Sequence, residues 1–149
     1  MSKVYDQIKL FKKKYPHTIT WFRLKKHAEI VNRHLNPGEE PIYCFAGQKN
    51  SNMLDLLSTC VICLTNHRIL IGQDLLITGY SLISITPDLF NDLSVYEGII
   101  WGKITIDTVK EEVDITNIDK RALPEIETAI SSFMMEEKKK YQNPDTKNN

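Results

Sequence analysis

Val61-Ile62-Cys63-Leu64-Thr65-Asn66-His67-Arg68-Ile69-Leu70-Ile71 decides how this chain folds. Two apolar, β-branched runs, Leu56–Thr65 and Arg68–Gly72, flank Asn66-His67. Strands joined by a two-residue loop form a hairpin, and Asn tolerates the positive φ that such turns use. That turn pairs Leu64 with Ile69 and Ile62 with Ile71 on one face, and sends Cys63 and Leu70 to the other. Both faces are apolar, so the hairpin is predicted to be covered on both sides.

Working outward, the hydrophobic period stays at two. Ile42, Cys44 and Ala46 alternate with Tyr43 and Phe45 in a first strand from Glu40, followed by a polar loop, Gly47–Asn52. Ile77–Ile85 is a further strand, with Gly79 read as a bulge, and Thr86-Pro87-Asp88 is a turn. Leu93–Tyr96 and Ile99–Ile106 flank Glu97-Gly98, read as a second two-residue turn. The resulting register points Val95, Ile100, Ile104 and Ile106 to one face and Tyr96, Ile99 and Trp101 to the other. The last strand is Glu112–Thr116, with Val113 and Ile115 inward.

Helical periodicity governs both ends. Val4, Ile8, Phe11 and Tyr15 share one face of a helix over residues 3–15 that Pro16 stops. Thr20 is placed to cap a second helix with the stripe Trp21, Leu24, Ala28, Val31 and Leu35, ended by Asn36-Pro37-Gly38. A final helix from Pro124 to Lys139 buries Leu123, Ile126, Ile130 and Phe133 or Met134, with Lys138–Lys140 at the negative end of its dipole.

The chain has 149 residues, 42% of them hydrophobic and 26% charged, which fits one ordinary globular domain with a small extension. Disorder throughout, a collagen-like repeat and a disulfide scaffold are excluded. The longest apolar run, near Cys60–Leu64, is far short of the ~20 residues of a membrane helix. No apolar signal core follows Met1-Ser2-Lys3, so a cytoplasmic location is expected. Charge is balanced at 19 cations and 19 acids but segregated: residues 1–35 carry +7 and residues 36–117 carry −7. A basic arm of this kind binds an anionic surface or docks on its own acidic domain, and the second is the preferred reading.

About seven antiparallel strands and a closing amphipathic helix form a distinctive order. Asn36-Pro37-Gly38-Glu39-Glu40, the Leu64-Thr65-Asn66-x-Arg68 hairpin, Ile99–Ile106 and Leu123-Pro124-Glu125-Ile126 together resemble the bacterial pleckstrin-homology-like (PH-like) domains, in particular the YokE-like group of Gram-positive bacteria and their prophages. The resemblance covers about residues 36–135. It implies a mainly β (α+β) fold: two near-orthogonal antiparallel sheets capped by a C-terminal helix, here preceded by an N-terminal helical hairpin. The expected organisation is a basic helical hairpin at 1–36, a PH-like domain at 37–140 and a polar, disordered tail at 141–149. The resemblance does not imply an enzyme. The loop that carries several cations in phosphoinositide-binding relatives holds one here, Lys49, with Arg68 as the other nearby candidate.

Reactive groups are sparse. Cys60-x-x-Cys63 lies in a strand, where positions three apart face opposite ways, so neither a metal nor a redox site is assigned and Cys44, Cys60 and Cys63 are read as buried small side chains. His17, His27 and His34 are read as solvated helix-face residues. No catalytic residue, cofactor site or metal site is assigned. An apolar patch of Tyr96, Ile99 and Trp101 must be covered or used, and the helical hairpin is the expected cover. The expected function is a non-enzymatic binding or adaptor module for a protein partner: another copy, or a host protein if the chain is phage-encoded. The alternative is a peripheral module at the inner membrane face, attracting anionic lipid through Lys9, Lys12, Lys13, Lys14, Lys25 and Lys26, with Phe11 or Phe22 inserting. Nucleic acid is not expected, because these cations are not interleaved with aromatics on a strand platform.

Overall fold

The computed structural model describes residues 2–20, 23–49, 58–75 and 77–142, with the backbone alone at 141–142. Trp21, Phe22, the loop expected at 50–52, Leu56 and the tail from residue 143 lie outside the described residues. Two helices, α1 (Lys3–Lys14) and α2 (Leu24–Arg33), precede seven strands: β1 (Pro41–Gln48), β2 (Thr59–Thr65), β3 (Ile69–Asp74), β4 (Tyr80–Ile85), β5 (Phe90–Glu97), β6 (Trp101–Thr108) and β7 (Glu112–Asp119). A 3₁₀ turn, Lys120–Ala122, leads into α3 (Leu123–Gln142). The strands form one antiparallel curled sheet in the order β4-β3-β2-β1-β7-β6-β5. Among the described residues its two halves meet through a single register pair, Gln48 with Thr116.

The central hairpin has the expected register: Leu64 opposes Ile69, Cys63 opposes Leu70 and Ile62 opposes Ile71. Both of its faces are buried. Ile62, Leu64, Ile69 and Ile71 join the main core with Phe45, Ile104, Ile106, Ile115, Ile126, Ile130 and Met134. Val61, Cys63 and Leu70 belong to a second cluster with Val4 and Ile8 of α1 and Ala28 and Val31 of α2. The turn itself works differently from the expectation. Asn66 is not among the residues with positive φ. Thr65 Oγ1 accepts from the His67 and Arg68 N–H groups. Asn66 instead stitches the turn to the preceding segment, accepting from Glu40 N–H and donating to the Gly38 carbonyl. Gly79 is likewise no bulge: it has φ +104° in the β3–β4 turn, where its carbonyl accepts from Leu75 N–H.

The helical hairpin covers the outer face of β1–β3, not the Trp101 face where it was expected. Gly72 permits this. A Cβ there would lie 2.6 Å from Val31 Cγ2 and 3.3 Å from the His27 carbonyl, so α2 rides on bare β3 backbone. Thr20 caps nothing, because α2 begins at Leu24 with Arg23 as its N-cap, left-handed at φ 62° and without a side-chain cap bond. Arg23 is held there by Asp74 at 2.8 Å. Ser2, a hydroxyl cap, accepts from Tyr5 N–H at the start of α1.

Past Gln48 and Thr116 the half-sheets part, and α1 reaches into the main core there. Phe11 and Tyr15 pack with Tyr43 and Phe45. The α1–α2 connection then runs beside β7: Ile19 N–H donates to the Asn117 carbonyl, and Asp119 N–H to Thr18 Oγ1. The final helix packs as expected, with Met134 fully buried and Phe133 partly so.

Candidate interaction surface

Two regions of the sequence were expected to carry function: the β5–β6 hairpin and the basic arm. In the hairpin, Glu97 opposes Gly102 and Gly98 N–H donates to the Trp101 carbonyl. The turn residues are therefore Ile99 and Ile100, two positions beyond the expected Glu97-Gly98. Moving the turn by two positions shifts the pairing by four residues, so that Tyr96 faces Lys103, and an even shift keeps the side chains within the strands on their faces. Ile104 and Ile106 stay buried and Tyr96 stays outside. Ile100, expected inward, moves to the tip and is 51% exposed beside Ile99 at 92% and Tyr96 at 64%.

Trp101 is half-buried and its Nε1–H donates to the His17 carbonyl at 2.8 Å, so the α1–α2 connection touches this end of the sheet. On one side of the tip Tyr96, Ile99, Trp101, Lys103 and Asn117 border an open hollow of about 460 Å³. On the other side His17, Ile99, Ile100, Lys120 and Arg121 border a second hollow of about 260 Å³. Asp119 anchors the floor. It accepts from Arg121 Nη2 at 2.6 Å and from His17 N–H at 3.3 Å. The Arg121 bonds outweigh burial and hold its carboxyl down at about 2.

The six arm lysines do not form one free surface. Lys14 pairs with Glu125 of α3 at 2.6 Å, and Glu125 also accepts from the Tyr43 hydroxyl, so one carboxylate ties α1, β1 and α3 together. Lys12 donates to the Thr18 carbonyl, and burial lowers its pKa in spite of Asp119 nearby. Lys9 pairs with Asp6 on the surface. Lys13, Lys25 and Lys26 are exposed and have no ion pair among the described residues.

Arg68 is committed internally. Its Nε and Nη2 form a fork on Glu39, each bond 3.0 Å, while Nη2 also donates to the His34 carbonyl and Nη1 to Ser84 Oγ. Glu39 further accepts from Thr65 Oγ1 and Asn36 N–H. Burial alone would raise the Glu39 pKa, but these donors outweigh it and hold the carboxyl at about 2. The Asn36–Glu40 and Thr65–Arg68 motifs thus meet as one buried bridge, a pairing that no spacing rule revealed. Histidine placement also departs from expectation. His27 is buried, its Nδ1 accepting from Asp74 N–H, and half-buried His34 lies between the Ile30 carbonyl and Tyr80. His17 alone of the three is exposed as expected.

None of the described residues groups three His, Cys, Asp or Glu side chains in a way that could hold a metal. No described helix is long and apolar enough to cross a membrane. The structure described as the pleckstrin homology domain from Shewanella amazonensis SB2B is similar at 15% identity, over 78% of this chain and 91% of that one, with a TM-score of 0.47. None of the curated proteins matches. The family model of the bacterial PH domain matches residues 35–132, from just after α2 into α3 and across every strand. The chain therefore belongs to the bacterial PH domain family.

Proposed function

We propose that this chain is a non-enzymatic binding module that engages a protein partner through the β5–β6 end of its sheet. One observation carries the reading: Ile99 and Ile100 project into solvent at a hairpin tip, beside Tyr96 and the edge of Trp101. Soluble domains seldom leave such apolar groups contiguous and uncovered unless they are used. Aromatic side chains at the patch supply the large contact area typical of binding hot spots. The family is generally one of binding modules, which agrees with this role. Within it, the Leu64-Thr65-Asn66-x-Arg68 hairpin favours the YokE-like group, and with it a cytoplasmic protein of Gram-positive or prophage origin. Residues 1–36 and 37–140 act here as one folding unit.

A photo-crosslinking amino acid at Ile99 tests this in cells. Crosslinks to a defined protein at Ile99, and none from the same group at exposed Val109, are expected. Equal labelling from both positions would overturn it. The peripheral-membrane alternative has three exposed lysines in its favour, Lys13, Lys25 and Lys26, and loses Lys12 and Lys14 to internal bonds. Flotation with vesicles containing anionic lipid, absent with neutral vesicles and reversed by salt, would favour it over the protein-binding reading.

A further inference from the structure

We infer that Cys44 and Cys63 form a thiol–disulfide modification site enclosed beneath the N-terminal helices. The two are direct register partners on β1 and β2, and their sulfurs are 3.1 Å apart. Opposed residues of antiparallel strands have Cα atoms about 4.5–5.5 Å apart. A disulfide spans about 4.4–6.8 Å, so the bond needs no backbone movement. Cys60 sits on the opposite face of β2, in the main core, and its thiol is pushed up to about 12 by burial. The geometry therefore selects one pair out of three cysteines.

The pair is inert while α1 and α2 are docked. Both sulfurs belong to the cluster closed by Val4, Ile8, Ala28 and Val31. The bond to Cys63 and burial raise the Cys44 thiol far above its ordinary range, which suppresses the reactive thiolate. Reaction requires the helices to lift, a local opening of the fold. With a small disulfide as oxidant, one of the two thiols loses its proton and attacks, expelling one thiolate. The second cysteine then loses its proton and attacks the mixed disulfide at the protein sulfur, expelling the other. Two S–H bonds and the oxidant's S–S bond are exchanged for one protein S–S bond and two released thiols, and the two electrons end on the oxidant.

The test uses the full chain in native buffer with 2,2′-dithiodipyridine, followed by intact mass and peptide mapping. The wild type and Cys60→Ser are expected to form no disulfide between chains, lose two hydrogens and carry a Cys44–Cys63 link. Cys44→Ser and Cys63→Ser should retain an adduct on the surviving thiol of the pair. Gly72→Val, which overpacks the α2–β3 contact, should react about tenfold faster. Mapping the wild type itself makes the result independent of how any variant folds. Linkage through Cys60, linkage between chains, or a wild type that stays reduced while its unfolded form oxidises would each overturn the site. An unchanged rate in a folded Gly72→Val protein would overturn the enclosure.

Discussion

The two halves of the sheet are treated oppositely. Strands β1–β3 are apolar on both faces and carry the main core on one side and two helices on the other. Strands β5–β7 alternate, burying Ile104, Ile106, Val113 and Ile115 while Thr105, Asp107 and Asp114 face outward. Among the described residues the outer side of that half is lined mostly by its own polar side chains up to the tip, where Ile99 and Ile100 break the pattern. Period and composition therefore distinguish a face that the chain covers from one that it leaves open, and the apolar exception on the open face is the informative one.

The largest effect that could break this comparison is removal of residues 1–35. Val4, Ile8, Phe11, Ala28 and Val31 are buried, and each larger side chain contributes about 1.5–3 kcal/mol by burial. The sum rivals the about 5–15 kcal/mol stability of a whole domain. The truncated chain is expected to lose cooperative unfolding by circular dichroism, and a sharp native-like melt would show the covered half to be self-sufficient. Next, Arg68→Ala leaves buried Glu39 without its fork and should cost about 3–5 kcal/mol in a denaturant titration. Acid probes the same bridge. The Glu39 and Asp119 carboxyls are held at about 2, below their unfolded values, so their contribution is complete above the unfolded pKa. It fades as pH falls from about 5 through 2, so stability followed by fluorescence should decline over that window. Wild type and Glu39→Gln should converge at its acid end. Gly72→Val should cost about 1–3 kcal/mol by overpacking α2 against β3. Smallest of all, Ile100→Ser should change stability by no more than about 0.5 kcal/mol while weakening the crosslinks formed by a photoreactive group at position 99. A larger loss of stability would mean that the open end is structural after all.

Much of the fold was legible because strand period and turn length constrain each other. The Ile62–Ile71 and Leu64–Ile69 pairs followed from a two-residue loop between apolar runs. The β5–β6 turn was misplaced by two positions because the resulting even shift in pairing preserves the faces of both strands, so alternation cannot detect it. The apolar outer face formed by Val61, Cys63 and Leu70 already demanded a cover, yet charge complementarity drew the helices to the Trp101 side instead. Glu39 was missed as the partner of Arg68 because they are 29 residues apart and meet only when the turn folds back on the segment before β1. The α2 face was misjudged because the helix starts at a left-handed Arg23 that no cap preference announces, which leaves His27 inside.

The single rung among the described residues, between Gln48 and Thr116, gives the curled sheet a crease. The wall on either side is laced by many hydrogen bonds, whereas across the crease Thr116 Oγ1 and Asn117 Nδ2 donate to Gln48, with aromatic filling from α1 and the Lys14–Glu125–Tyr43 tie adding to them. Solvent deuterium should therefore reach the amides bordering this seam before it reaches the centre of either panel, so that the N-terminal helix acts as mortar between the panels more than as an attachment to them.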